Sequence, residues 1–235
     1  MASPIKALFF DVFRTLVDWR GGVAREAERL LQPRGVSFNW GAFADAWRGE
    51  YQTGMEPIRS GESPFVTLDV IHRQNLDRIL PRFGLEKLDE ATRAELTLAW
   101  HRLDAWPDVP AALARLREKF LLAPVSNGNI ALIVDLSRRN GFIWDAVLGA
   151  EVARDYKTKP GVYLSAAIAF NLPPQACMMV AAHSWDLEAA AACGLRTAHI
   201  ARPDEKGQGK GESRPSVPVD IAAEDLGALA DALGA

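Results

Sequence analysis

The chain has 235 residues, 49% of them hydrophobic and 24% charged, enough to bury a full core. A formal net charge of -3, with no stripe of Lys and Arg, leaves no basic excess to neutralise phosphates, which argues against nucleic acid as a partner. No apolar run is long enough to span a bilayer, and residues 1–6 lack the charged start and long apolar middle of a signal peptide, so no membrane partner and a cytoplasmic location are expected.

Residues 5–10 form an apolar run too continuous for a half-exposed strand, and Asp11 closes it. Residues 18–103 are almost all helical in pattern and rich in Trp and Arg, as in an inserted helical domain. Within them Phe43, Trp47 and Tyr51 recur every four residues, which predicts one helix with an apolar face beside Arg48. Beyond this insert, near Trp106, Asp108 before Val109-Pro110 marks a helix start and Gly141 a helix stop. Further strands are predicted over 121–125, 146–148, 178–181 and 197–200, with an Ala-rich helix running from Asp186 to Gly194. Residues 207–218 read as a polar loop without a packing signal, before a last strand and a terminal helix within 220–233. Cys177 and Cys193 read as small core residues, not as a disulfide. Strands alternating with helices predict an α/β fold, a doubly wound parallel sheet, with residues 1–17 and 104–235 as its core.

An acid at the carboxyl end of a buried strand stands where open α/β sheets build reactive sites. Two residues after Asp11 comes Phe13, which can neither donate a proton nor bind a cation. The segments FDVFRTLVDWR at the start, SNGN at Ser126 to Asn129, YKTKPGVY at Tyr156 to Tyr163 and VAAHSWD at Val180 to Asp186 resemble, in order and spacing, the motifs of the haloacid dehalogenase superfamily. In detail they resemble the L-2-haloacid dehalogenases. The resemblance implies a Rossmann-like core, with residues 18–103 as a helical cap that carries the substrate arginine, Arg48.

The implied reaction is hydrolytic dehalogenation of short 2-haloacids, with haloacid and water as the small-molecule partners. Asp11 would displace halide and form an aspartyl ester, which water then opens. Lys157 would keep Asp11 ionised; Lys159 is its rival, since superfamily lysines often precede Pro, but Tyr163 lies six residues after Lys157 as in the dehalogenases. Asp186 would orient the lysine and act as base toward water. Thr15 and Ser126 would bind carboxylate oxygens, Asn127 would lie near the halide, and Arg48 would bind the halide or substrate carboxylate. Phe13 and Trp185 would form apolar walls, with Tyr163 also in the substrate site.

Two substitutions separate this chemistry from that of a magnesium-dependent phosphatase, the first alternative. Phe13 replaces the acid that protonates a leaving alkoxide, and Ala182, four residues before Asp186, replaces a metal-ligating acid. Neither metal nor cofactor is therefore expected. A catalytically decayed binding protein is the second alternative, motivated by three departures from the family pattern. Arg14 stands where Gly is usual, Ala181 replaces a serine that helps to hold the hydrolytic water, and His183 replaces an asparagine. His183 could position water or act as a base, or it could narrow the halide pocket in favour of fluoride. The Trp-rich and Ala-rich helical faces leave room for a homodimer.

Overall fold

The computed structural model describes residues 4–235. Strands β1 (Ala7–Phe10) and β2 (Val17–Asp18) precede five helices, α1 (Trp19–Leu31), α2 (Trp40–Gly49), α3 (Tyr51–Arg59), α4 (Leu68–Ile79) and α5 (Glu90–Thr97). After β3 (Asp104–Ala105) come α6 (Val109–Arg117), β4 (Leu121–Ser126), α7 (Ile130–Asn140), β5 (Leu148–Gly149), α8 (Ala150–Ala153) and α9 (Pro160–Ala169). The chain ends with β6 (Cys177–Ala181), α10 (Ser184–Ala192), β7 (Arg196–Ile200), β8 (Ile221–Ala223) and α11 (Leu226–Ala232).

Six strands form one sheet in the order β5-β4-β1-β6-β7-β8, and each pair is parallel. The continuous apolar run of β1 has a direct cause. Leu8 and Phe10 enter the hydrophobic cluster on one face of the sheet, while Ala7 and Phe9 enter the cluster on the other. From β1 the chain builds toward β4 and β5 on one side and toward β6, β7 and β8 on the other. The carboxyl end of β1 is thus the topological switch point, and Asp11 is the first residue past it.

Some boundaries differ from the pattern in the sequence. The strand expected over 146–148 is the two-residue β5. It ends at Gly149, where φ is +113° and an added Cβ would lie 2.3 Å from the Ser126 carbonyl oxygen, so only glycine admits this approach to β4. Helix α6 does start at Val109, but Asp108 makes no side-chain cap. Its carboxylate instead accepts from Arg202 at 2.9 and 2.8 Å and from the Leu226 amide at 2.9 Å, joining the segment after β7 to α11. The 207–218 loop is pinned as well, because Glu212 accepts from the Ser184 amide and hydroxyl at the start of α10. Cys177 is buried and Cys193 partly so, and both are free thiols.

The helical cap leaves the core at β2 and returns at β3, and these two pair antiparallel, Val17 opposite Ala105 and Asp18 opposite Asp104. Asp18 and Asn39 accept from the amides of Gly21 and Ala42 and so cap α1 and α2. The single helix expected through Phe43, Trp47 and Tyr51 is broken: α2 stops at Gly49, a weak helix former, Glu50 flattens to ψ -7°, and Tyr51 opens α3. No helix among the described residues is long and apolar enough to cross a membrane.

His101 links cap to core. Its Nε2 lies 3.0 Å from Asp69 on α4 and its Nδ1 2.8 Å from Asp135 on α7. Burial opposes its protonation, but the two carboxylates outweigh burial and raise its pKa above the ordinary value. A raised folded-state pKa gives stability that is complete below the unfolded value of about 6.5 and is lost as pH rises through the folded one. Thermal unfolding at pH 6 and pH 9 is therefore expected to show the wild type losing stability on the alkaline side and His101→Gln losing less. Equal losses in both would remove the latch.

Candidate active site

Asp11 sits at the centre of a buried polar cluster built from the carboxyl ends of β1, β4 and β6. Its Oδ2 accepts the Thr15 hydroxyl at 2.8 Å, and the same hydroxyl oxygen accepts the Ala182 amide at 3.0 Å. Its Oδ1 accepts from Lys157 Nζ at 3.2 Å. Burial works against a charge here, yet Lys157, His183 and Thr15 together hold the Asp11 carboxyl far below the usual carboxylate range. It is a dry, ionised carboxylate.

Of the two candidate lysines, Lys157 is the one that reaches Asp11. It is 1% exposed and bridges Asp11 to Asp186, with Nζ 2.6 Å from Asp186 Oδ2, whereas Lys159 is exposed and precedes α9. Burial disfavours its ammonium, but the two carboxylates raise its pKa. Burial, with the neighbouring Asp11 charge, raises the Asp186 pKa against the pull of the Lys157 ammonium. The second oxygen of Asp186 accepts the Tyr163 hydroxyl at 2.6 Å. Tyr163 is fully buried in the sheet-side cluster, so it supports Asp186 from within the core and does not face an incoming acid.

The loops after β4 and β6 complete the floor. Ser126 Oγ accepts the Gly128 amide at 3.0 Å, a tight turn that presents Asn127, whose Oδ1 accepts the Lys157 amide at 2.9 Å. Asn127 therefore places the lysine backbone. His183 is buried with Nδ1 3.5 Å from Asp11 Oδ2 and Nε2 3.2 Å from Glu205 Oε2. Arg14 Nε lies 3.3 Å from the same Glu205 oxygen, an ion pair without a hydrogen bond. The sequence carries no local sign of this glutamate's role.

Arg14 has a φ of +75°, the left-handed conformation that explains why glycine is usual there. Its side chain compensates: the guanidinium binds Glu205 and lies 5.6 Å from the Trp19 ring centroid, while its carbonyl accepts from Trp106 Nε1 at 2.9 Å.

The roof comes from the cap. Arg48 stacks 3.6 Å over Tyr51 and lies within 6 Å of the rings of Phe13, Trp19 and Trp100. Its Nη1 is buried and has no hydrogen-bond partner among the described residues. Burial pulls its pKa down to about 10, which still leaves it charged at neutral pH. A charged donor with an unmet hydrogen bond, ringed by aromatic faces, suits an anion that is weakly hydrated. Phe13 is buried and packs edge-on to Trp100. Trp185, expected as a pocket wall, is 38% exposed and stacks on the His183 ring at 5.6 Å, covering the imidazole from the outside.

Where two acids could share a divalent cation, Asp11 and Asp186 share an ammonium. Asp11, His183 and Glu205 do not converge on one point either, since the acids lie at opposite ring nitrogens. Among the described residues no group of three or more His, Cys, Asp or Glu side chains could hold a metal ion.

A buried carboxylate at the switch point of a capped, doubly wound sheet frames the site, and comparison with known proteins shows the family. The family model described as haloacid dehalogenase-like hydrolase matches residues 5–194, and the chain belongs to that family. It is 32% identical over 213 residues to haloacetate dehalogenase H-2 of Moraxella sp. (strain B), covering 88% of this chain and 92% of the relative. It is 28% identical over 219 residues to (S)-2-haloacid dehalogenase 1 of Pseudomonas sp. (strain CBS-3), covering 85% and 86%. Among solved structures, the defluorinating L-2-haloacid dehalogenase Rha0230 superposes with a TM-score of 0.96 at 38% identity over the whole of both chains. The L-2-haloacid dehalogenase PA0810 does so at 0.94 and 42%, covering 98% of this chain and 99% of the other.

Proposed function

We propose that the protein is a metal-independent (S)-2-haloacid dehalogenase that converts short 2-haloacids to 2-hydroxy acids. The observation that carries this reading is the ionised Asp11 between Lys157 and Thr15, with Phe13 where a proton donor to an alkoxide would stand. A halide leaves as a weak base and needs no proton. The pairing of Asp186 with Lys157 favours this over magnesium-dependent phosphoryl transfer, and the intact Asp11–Lys157–Asp186 chain favours it over a decayed site.

In the proposed reaction the substrate carboxylate or the departing halide is held by Arg48 and by the turn at Ser126 and Asn127. Asp11 attacks C2 from the side opposite the halide, breaking the carbon–halide bond and forming an ester with inversion. Water then attacks the ester carbonyl carbon, so the stereocentre is not touched again. An L-haloacid gives a D-hydroxy acid. Fluoroacetate falls within the proposed range: His183 narrows the space beside Asp11, and the likeness to a defluorinating enzyme supports it. Residues 18–103 act as a cap domain on a core of residues 1–17 and 104–235.

The test is a halide-release assay with chloro-, bromo- and fluoroacetate and both enantiomers of 2-chloropropionate, with and without a metal chelator. Release from the S enantiomer with inverted product and no chelator effect is expected. Chelator-sensitive activity, or no halide from any substrate, would refute the proposal.

A further inference from the structure

The second half of the proposed reaction needs a base for water, and the geometry around Asp186 argues against that residue. One of its oxygens is taken by Lys157 at 2.6 Å and the other by Tyr163 at 2.6 Å, and its side chain is fully buried. A carboxylate already accepting two strong hydrogen bonds is a poor acceptor for a third proton. His183 Nδ1, by contrast, is 3.5 Å from Asp11 Oδ2 and has no hydrogen-bond partner among the described residues.

The other side of the ring is occupied by Glu205, whose side chain is 0% exposed. Burying a carboxylate is costly unless charges and donors surround it. Here the charges of Arg14, with Nε at 3.3 Å, and Lys206, with Nζ at 3.5 Å, lie beside it, and His183 Nε2 at 3.2 Å is its hydrogen-bond partner, while its Oε1 accepts none among the described residues. Arg14 reaches Glu205 from a left-handed backbone position, so a strained turn holds this carboxylate in place.

We propose that Glu205 is a positioning residue for ester hydrolysis: it accepts the Nε2 proton of His183 and so leaves Nδ1 as the base facing the Asp11 ester. The proposal rests on the dehalogenase reading. In the free enzyme, Asp11 and Glu205 flank the imidazole and outweigh its burial, which raises its pKa. Arg14, at 3.4 Å from Nε2, and His199 on β7, which faces Glu212, oppose that effect. Ester formation cancels the charge of Asp11, so the imidazolium loses one of its two anions and releases its Nδ1 proton to solvent.

The freed lone pair on Nδ1 takes a proton from water as the water oxygen bonds to the ester carbonyl carbon. Collapse of the tetrahedral intermediate breaks that carbon's bond to the bridging oxygen, the former Asp11 oxygen that now belongs to C2. The leaving alkoxide takes the proton back from Nδ1 and departs as the hydroxy acid. Asp11 keeps one oxygen from water, and its remaining proton passes to His183 Nδ1, which restores the imidazolium of the free enzyme. Halide, hydroxy acid and one proton balance haloacid and water.

The test follows Glu205→Gln, Glu205→Asp and His183→Ala with (S)-2-chloropropionate by rapid mixing, recording halide release and the mass of the intact chain. In Glu205→Gln the first equivalent of halide is expected at close to the wild-type rate, with later turnover slower by roughly 10- to 100-fold; in His183→Ala, which also removes a group beside Asp11, hydrolysis is expected to slow more than halide release. The chain should gain the mass of the substrate less its halide. The acid limb of the hydrolysis step should move to lower pH in Glu205→Gln, because the imidazolium has lost an anion, and Glu205→Asp should restore part of the rate. Burst and turnover falling together without an adduct, or wild-type hydrolysis in Glu205→Gln, would overturn the proposal. His183→Ala leaves the buried glutamate in place and gives the same reading if Glu205→Gln fails to fold. Wild-type protein that releases no halide at all would instead remove the dehalogenase reading on which the proposal stands.

Discussion

Asp11→Asn is expected to release halide at least about 10⁴-fold more slowly than wild type, the scale of loss when a covalent nucleophile is removed. The amide keeps the size of the side chain and an oxygen that can accept the Thr15 hydroxyl, so the site should retain its shape. What disappears is the negative charge, and with it the electron pair that displaces halide. Folding should survive, because Lys157 keeps its 2.6 Å pairing with Asp186. Halide-selective detection over hours, with thermal unfolding as a control, reads both outcomes. Residual activity above a hundredth of wild type would mean that another group attacks carbon. A single turnover of wild type in isotopically labelled water makes a second check: label should enter the Asp11 carboxyl before it enters the hydroxy acid. Label in the first product instead would rule out an ester.

Lys157→Met carries the largest expected effect on stability. The substitution preserves an apolar stem of similar length but leaves Asp11 and Asp186 buried without the cation that bridges them. Breaking a buried pair by removing one partner costs about 3–5 kcal/mol. The pH dependence should also reverse. In the wild type the Asp11 pKa is depressed, so its contribution is present above the unfolded value of about 4 and is lost as pH falls. In the variant, burial and mutual repulsion raise both carboxyl pKa values, so stability should increase on acidification. Between pH 8 and pH 5 the Asp11 contribution should stay constant in the wild type, whereas the unfolding midpoint of the variant should rise. Adding Asp186→Asn to Lys157→Met should recover most of the lost stability and none of the activity. A double variant no more stable than the single one would show that repulsion is not the cause.

The parts of this molecule that were legible in its sequence were so in different ways. Asp11 directly follows an apolar run at the carboxyl end of a predicted strand, whereas Asn127, in the turn after β4, and Asp186, in the first turn of α10, were legible through the family motifs. Lys157 was legible only through its spacing to Tyr163, and the structure supplies the reason: both side chains end on Asp186. Glu205 was invisible because nothing nearby requires it to be buried. Its partners His183 and Arg14 are far away in the chain, and a Glu between Asp204 and Lys206 looks like any solvated charge. The same holds for Arg202 and Asp108, whose paired side chains join the segment after β7 to the start of α6. The single helix predicted through Tyr51 failed for another reason. Four-residue periodicity records which side chains are apolar and does not register a backbone break at Gly49-Glu50.

The two-residue ribbon of β2 and β3 fixes the cap's point of departure and its point of return side by side. Swapping the intervening segment for one of another length would leave the sheet's strand order and the Asp11–Lys157–Asp186 chain unthreaded, since loop-closure entropy grows only slowly with length. Arg48 and its aromatic ring would change with the swap. The molecule is in this sense modular, with the Asp11–Lys157–Asp186 chain on one side of the ribbon and Arg48 on the other.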